Sequence, residues 1–327
     1  MSTNQHWSDI REAGALSGLR IMAWTYRLLG RVGFNVVLAP VMLYFLLRRP
    51  VARQASTDYL CRVHEMYPDS LGGKPGFWTS FRHFLAFGRS LLDKYIAWTG
   101  EPTGIDVRQQ DAELLRSIVD SGKGILLIGS HFGNLEYSRG ISRRHPDLVI
   151  NTLIYDQHAA NFARLIGDAA PESRLNLIQV TDLDLDLALR LRQRVEKGEW
   201  LLIAGDRVPV GLSDNVCPAT FLGAEANFPI GPYVLGNLLR CPVYMMHCYF
   251  DSGMYRLRVE LLEEEIRTSR KDRQRTYEPQ VQKFATALEA QVRRSPLQWF
   301  NFYDFWARQT SSARPAQDQD QDSNDQD

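Results

Sequence analysis

Two histidine and acid pairs in the chain stand five residues apart: His131 with Glu136 in SHFGNLEY, and His64 with Asp69 in HEMYPD. A carboxylate that accepts from one imidazole nitrogen leaves the other able to take a proton from a hydroxyl or amine near neutral pH, so the H-x4-[D/E] spacing carries general-base chemistry. Taken alone the spacing is weak: seven histidines and 38 acidic residues in 327 give about one match by chance. Context separates the two pairs. His64 and Asp69 end a helical pattern at Pro68 with no strand before them, whereas His131 follows the apolar run GILLIG at 124–129. Open α/β sheets hold ligands outside the carboxyl ends of their strands, and Gly133 permits close backbone approach just there.

On a continuous helix, five residues turn the chain by about 140°, so His131 and Glu136 meet only if a helix begins between them. Asn134 is a preferred N-cap type, which puts Glu136 in the first turn, where the helix dipole favours its ionised form, and leaves His131 in the strand-to-helix turn. The expectation is that Glu136 orients the His131 ring, that Gly133 and Asn134 shape the turn, and that amides at the helix start offer donors to an oxyanion. The plainer alternative is that Ser130 and His131 merely end a strand.

The elements around this turn follow from periodicity. Residues 53–68 and 77–98 carry helical apolar stripes separated by the breaker LGGKPG at 71–76, so the first hundred residues read as helical. From about residue 105 short β-rich runs at 124–129, 148–155, 175–180, 200–204 and 242–250 alternate with helical patterns at 109–121, 134–144, 158–168, 183–197 and 230–239. That rhythm predicts an α/β fold with a mostly parallel, mixed sheet covered by helices. A strand over 254–262, paired antiparallel with 242–250, a helix over 274–294 and the aromatic segment WFNFYDFW at 299–306 complete it. The expected organisation is a helical membrane-associating segment at 1–100, an α/β domain at 101–308 and an acidic disordered tail at 309–327, whose composition cannot offset its ordering entropy.

Hydrophobic residues make up 44% and charged residues 23% of the chain, which excludes wholesale disorder, collagen and small disulfide scaffolds. The net charge of zero hides a polarity: residues 1–100 carry 12 Lys+Arg against 6 Asp+Glu, and 15 of the 35 aromatic residues lie there. A basic, aromatic-rich third suits an anionic membrane surface better than nucleic acid. Within it, 16 uncharged residues at 32–47 are flanked by Trp24, Tyr26 and Tyr44 and by Arg20, Arg27, Arg31, Arg48, Arg49 and Arg53, as interfacial aromatics and snorkelling cations are. The run is short of the roughly 20 residues of a span and lacks the form of a cleavable signal. It reads as spanning the membrane or lodged in its interface, or else as a buried helix. Cys61, Cys217, Cys241 and Cys248 show no C-x-x-C pairing and read as reduced thiols.

HFGNLE at 131–136, after an apolar strand and behind a basic N-terminus with a single anchor, resembles the lysophospholipid acyltransferase superfamily, and more narrowly its lauroyl/myristoyl lipid A acyltransferase-like branch, whose signature is H-x4-[D/E]. The resemblance spans most of residues 5–307. It implies a glycerolipid acyltransferase-like fold on the cytoplasmic face of a bacterial-type inner membrane. It also implies His131 as base, Glu136 as its orienting acid, an acyl-ACP or acyl-CoA donor, a lipid or glycolipid acceptor, and no cofactor. LLIAGDRVPV at 201–210 resembles a strand-terminal acidic and basic pair lining the pocket, here Asp206 and Arg207, with Arg207 a candidate for charge stabilisation. The block lacks the longer D-x-x-x-G form of the lipid A enzymes. TFLGAEANFPIGP at 220–232 resembles the family's turn bordering an acyl groove, which implies that role for Phe221, Leu222 and Gly223. The alternatives are a solvated loop ion pair at 206–207 and an ordinary turn at 221–223. A glycerolipid or secondary-metabolite product also stays open, as does a catalytically silent lipid-binding scaffold of the same fold.

Other features are set aside. Asp182, Asp184 and Asp186 mimic a calcium ligand run, but Leu187 and Gln193 occupy the positions where an EF-hand needs Gly and Glu, so no metal site is expected. His158 and His247 read as structural. No phosphate-binding glycine loop, nucleophile elbow or zinc spacing occurs.

Overall fold

The computed structural model describes residues 13–99, 107–109, 111–138, 141, 145, 147–154, 176–180, 185–208, 215–268 and 273–307. The helix expected over 158–168, His158, Asp182, Asp184 and the tail from 309 lie outside the described residues.

Three helices open the chain: α1 (Ala13–Arg48), α2 (Pro50–Met66) and α3 (Phe77–Thr99). α1 is kinked at Gly30, whose φ of 64° and ψ of −170° are not helical. Its stretch Trp24–Arg48 is long and apolar enough to cross a membrane. The breaker glycines Gly72 and Gly73 both have positive φ between α2 and α3. Phe34, Leu38, Met42 and Leu46 recur every four residues along α1 and bury against Phe84, Leu92 and Ile96 of α3, the row spacing that ridge-into-groove packing uses. Gly88 sits where a Cβ would stand 2.8 Å from Leu38 Cδ1, so the two helices meet closely there.

The rest is α/β. Its strands are β1 (Val107–Gln109), β2 (Leu126–Gly129), β3 (Ile150–Ile154), β4 (Asn176–Gln179), β5 (Trp200–Ala204), β6 (Val216–Phe221), β7 (Ala224–Pro229), β8 (Val243–Asp251) and β9 (Met254–Glu263). The helices between and after them are α4 (Ala112–Asp120), α5 (Leu185–Glu196), α6 (Gly231–Leu239) and α7 (Arg273–Arg294). Among the described residues, seven strands form one sheet in the order β1-β9-β8-β2-β5-β3-β4, parallel at every pairing except β8 with β9. The four positions of β2 and the first four of β5 are buried, as a central parallel strand covered on both faces requires. One core holds Leu126, Ile128, Leu201, Ile203 and Met245 under α6 and α7, and the other holds Leu127, Leu202, Met246 and Leu257 under α4.

Residues 216–229 form a β6–β7 hairpin, closed by a turn at Leu222 and Gly223 with φ 50° and 73°, and α6 follows it where a helix is expected over 230–239. That pair of positive φ values matches the twist of a two-residue hairpin. Within the helix expected over 134–144, Leu135–Ser138 form a 3₁₀ turn and Ile141 is helical; residues 139–140 and 142–144 lie outside the described residues.

Candidate active site

β2 and β5 are parallel neighbours in the register Leu126↔Leu201 through Gly129↔Ala204. Two residues beyond the last pair on each strand stand His131 and Asp206, so the ladder itself delivers both to one sheet edge. The Gly205 amide extends that ladder by donating to the Gly129 carbonyl at 2.8 Å. A Cβ at Gly205 would lie 2.5 Å from Ile128 Cγ2, so the small residue lets the strands stay paired to this point.

Asp206 is fully buried and accepts three hydrogen bonds. The His131 ring donates from Nδ1 to Oδ1 at 2.7 Å, the His131 backbone amide donates to Oδ2 at 2.8 Å, and the Trp299 indole Nε1 donates to Oδ2 at 3.0 Å. Burial by itself pushes the Asp206 carboxyl up, but the imidazole, Arg207 and the amide outweigh it and hold the group ionised, below the usual carboxylate range. For His131, burial and then the Arg207 charge lower the pKa, against the opposing pull of Asp206. The ring is therefore neutral at pH 7. An ionised Asp206 can only accept, so the ring proton sits on Nδ1 and the lone pair on Nε2. The ring is densely surrounded, yet 35% of the side chain is exposed, and among the described residues Nε2 meets no hydrogen-bond partner. The ring is thus a neutral imidazole open on one side, the arrangement that general-base chemistry uses.

The turn after His131 is clamped from two directions. The Gly133 amide donates to the Gln298 carbonyl at 2.8 Å, the Asn134 amide to Cys248 at 2.6 Å, and the Phe300 amide to the His131 carbonyl at 3.0 Å. Gly133 has φ 69°, and a Cβ there would run into the Cys248 carbonyl oxygen. Asn134 takes the capping position expected of it: Oδ1 accepts from the Glu136 amide at 3.2 Å, and Nδ2 donates to the Ser90 carbonyl at 3.3 Å. The same bonds correct the oxyanion expectation, because the amides of Gly133, Asn134 and Glu136 all donate to protein acceptors.

A second correction concerns the acid that steadies the ring. Nδ1 is held by Asp206, and Glu136 turns towards α3, where its Oε1 lies 3.1 Å from Lys94 Nζ. The 3₁₀ turn explains the difference: without an α-helical first turn, Glu136 faces the α3 cation while the adjacent strand supplies the buried carboxylate. Arg207 is no solvated partner of Asp206 either. Its Nε donates to Asn301 Oδ1 at 3.0 Å and its Nη2 to the Phe300 carbonyl at 2.6 Å, which keeps its charge beside His131.

Phe221, Leu222 and Gly223 do not join His131. Phe221 is buried behind Trp299, their ring centroids 5.1 Å apart, and stacks on Trp306 at 6.0 Å. The Leu222 amide donates to Glu289 Oε2 at 2.6 Å, and Gly223 faces Met66. Phe221 backs the indole that holds Asp206. Trp299, Asn301 and Lys94 were not singled out by the sequence reading. For Trp299 the available signal was an unusually aromatic segment, without any spacing to tie it to residue 131. Among the described residues, no group of three or more His, Cys, Asp or Glu is placed to hold a metal ion.

Residues 82–308, more than half of the chain, match the family of bacterial lipid A biosynthesis acyltransferases. The chain belongs to that family. It is an acyltransferase, and the match takes in most of α3, the His131 turn, Asp206–Arg207 and the Trp299 segment of this acyltransferase. No curated protein matches the chain.

Proposed function

We propose that this acyltransferase moves a fatty acyl chain from an acyl-ACP or acyl-CoA thioester to a hydroxyl or amine of a membrane lipid or glycolipid, with His131 as the general base. The single observation that carries the assignment is the His131–Asp206 contact, which leaves a neutral, outward-facing Nε2. That nitrogen takes the proton of the acceptor O–H or N–H as the oxygen or nitrogen attacks the thioester carbonyl carbon. The C–S bond then breaks, and the imidazolium returns its proton to the departing thiolate. Asp206, held by the Trp299 indole, stabilises the transient imidazolium. No covalent acyl-enzyme is needed.

Burial and then the Arg207 charge keep His131 neutral before the reaction, and Arg207 is the nearby cation assigned to the negative charge that develops, while Glu136 and Lys94 border the same turn. Membrane association is supported by α1, whose outward side carries Val32, Val36, Val41, Tyr44 and Leu47, each at least 40% exposed. The cytoplasmic face of an inner membrane is where both kinds of thioester donor are available. In membranes holding the full chain, incubation with acyl-ACP or acyl-CoA and a lipid extract releases free thiol and one new acylated lipid, identified by mass. His131→Ala abolishes both. Thiol release and acylated product that survive His131→Ala refute the base assignment; a chain that yields neither is a scaffold.

A further inference from the structure

The exposed side of α1 raises the question of how this helix meets lipid, and the answer lies in what covers its other side. α1 and α3 run antiparallel, in contact from Arg27 to Met42 of α1. Arg27 Nη2 donates to the Tyr95 hydroxyl at 3.3 Å, Arg31 Nη2 to Asp93 Oδ1 at 2.6 Å, and Arg89 Nε to Asn35 Oδ1 at 2.8 Å. Further along, Leu38 and Met42 close over Gly88. Asp93 is 4% exposed and also accepts from the Tyr255 hydroxyl of β9 at 2.9 Å, so the Arg31 contact is tied into the sheet. α3 in turn holds the catalytic turn, through Asn134 on the Ser90 carbonyl and Glu136 on Lys94.

We infer that α1 does not cross the bilayer but lies in its plane, with one long side sunk among the acyl chains and the other carrying the catalytic domain through α3. This rests on the membrane association proposed above. A helix that spanned would take its neighbour with it, because the two axes are only about 8–10 Å apart. Arg82, Arg89, Asp93 and Lys94 recur along α3, and charged groups at bilayer depth are strongly disfavoured.

The lipid-facing side has the opposite character. From Val32 to Leu47 it carries no charge over 16 residues, about 24 Å of helix. The buried row Phe34, Leu38, Met42 and Leu46 lies on the far side of the axis from Val32, Val36 and Leu47. Exposed arginines stand at both ends, Arg27 on one side and Arg48 and Arg49 on the other, placed for anionic headgroups in a single leaflet. Phe77 and Trp78, 43% and 68% exposed, begin α3 at the end that antiparallel packing sets towards the C-terminal end of α1, where they add an aromatic foothold at the interface.

The test is topological. The full chain, with one epitope tag ahead of Met1 and another after Asp327, is expressed in a Gram-negative host. Protease is applied to spheroplasts and to inverted inner-membrane vesicles. The in-plane helix predicts that both tags are digested in inverted vesicles and both protected in spheroplasts. Tags on opposite faces overturn the inference and make α1 a span, leaving membrane association intact. A chain absent from the vesicle pellet overturns membrane association itself. Val36→Glu combined with Val41→Glu places two charges on the exposed side only. It is expected to move most of the chain from vesicles of phosphatidylethanolamine and phosphatidylglycerol to the supernatant, with an unchanged circular dichroism spectrum. Retention on vesicles equal to the parent chain counts against a lipid-immersed face.

Discussion

His131 and Asp206 are joined twice, by the ring at 2.7 Å and by the backbone amide at 2.8 Å, so that one carboxylate fixes the chain conformation at His131 as well as the tautomer of its ring. The Trp299 indole on Oδ2 completes a buried carboxylate with three donors. A group satisfied in this way can stay ionised without solvent. Its charge is then available to the His131 imidazolium of the proposed proton transfer.

Asp206→Asn is therefore the most informative substitution. The amide side chain fills the same space, but it donates to Nδ1 as readily as it accepts, which releases the Nδ1 proton and places one on Nε2. The expected loss in kcat is about 10² to 10⁴-fold, the range for removing a competent general base. Glu136→Gln leaves the Nδ1 contact intact and is expected to cost less than tenfold. Steady-state rates of the two variants decide between the carboxylates, and the reverse order of losses assigns the orienting role to Glu136.

The pH profile carries a second signature. Burial and the Arg207 charge lower the His131 pKa, so the neutral, competent ring persists below the ordinary histidine value of 6.5. The acid limb of kcat/KM, where the base becomes protonated, is expected below that value. Arg207→Gln removes the neighbouring cation and moves the limb to higher pH, while Arg207→Lys keeps the charge and moves it less. A limb at the same pH in all three enzymes removes Arg207 from the electrostatics of the base.

The α/β rhythm, the position of His131 past a strand and the capping by Asn134 were readable because each depends on residues within a few positions of one another. The partner of His131 was not. Asp206 lies 75 residues away, and only the β2–β5 register makes it a neighbour. The sequence placed Asp206 and Arg207 at a strand end but offered no way to say which acid reaches the ring, so the nearer Glu136 took the role on spacing. The β6–β7 hairpin was hidden for a different reason. Its turn puts Leu222 at positive φ, where short polar residues or glycine are usual, and the strain is offset by burial and by the Glu289 bond.

Gly133 makes a structural prediction with a steric cause. Its left-handed φ of 69° disfavours any L side chain, and a Cβ would press on the Cys248 carbonyl that accepts from Asn134. Gly133→Ala is expected to destabilise by about 2 kcal/mol or more, since the left-handed conformation alone costs roughly 1–2 kcal/mol. Denaturant unfolding in detergent measures it. A loss below about 0.5 kcal/mol, with activity retained, shows that the turn tolerates a different path.

Acid sensitivity of the fold is traceable to two histidines outside the chemistry. His83 is buried, with Ser56 Oγ 3.0 Å from Nδ1 and the Trp299 carbonyl 3.0 Å from Nε2, so Nε2–H donates to the carbonyl and Nδ1 accepts from the serine. His247 is buried with neither ring nitrogen partnered among the described residues. Burial lowers the pKa of each to about 4. Each folded value is depressed below the ordinary 6.5, so the unfolded chain takes up these protons first as the pH falls. Stability is then complete above about 6.5 and drains away between 6.5 and about 4. A shift of this size corresponds to roughly 3 kcal/mol for each ring. His247→Leu removes one of these protonations along with two unpartnered polar atoms, so its unfolding free energy should fall less steeply than that of the parent chain between pH 6.5 and 4.5. His83→Leu also flattens the slope, but it starts from lower stability at pH 7, because the Trp299 carbonyl loses its donor and Ser56 its acceptor. Parallel slopes for parent and His247→Leu would place the acid sensitivity elsewhere, with His131, whose pKa burial also holds below 6.5, the next group in that range.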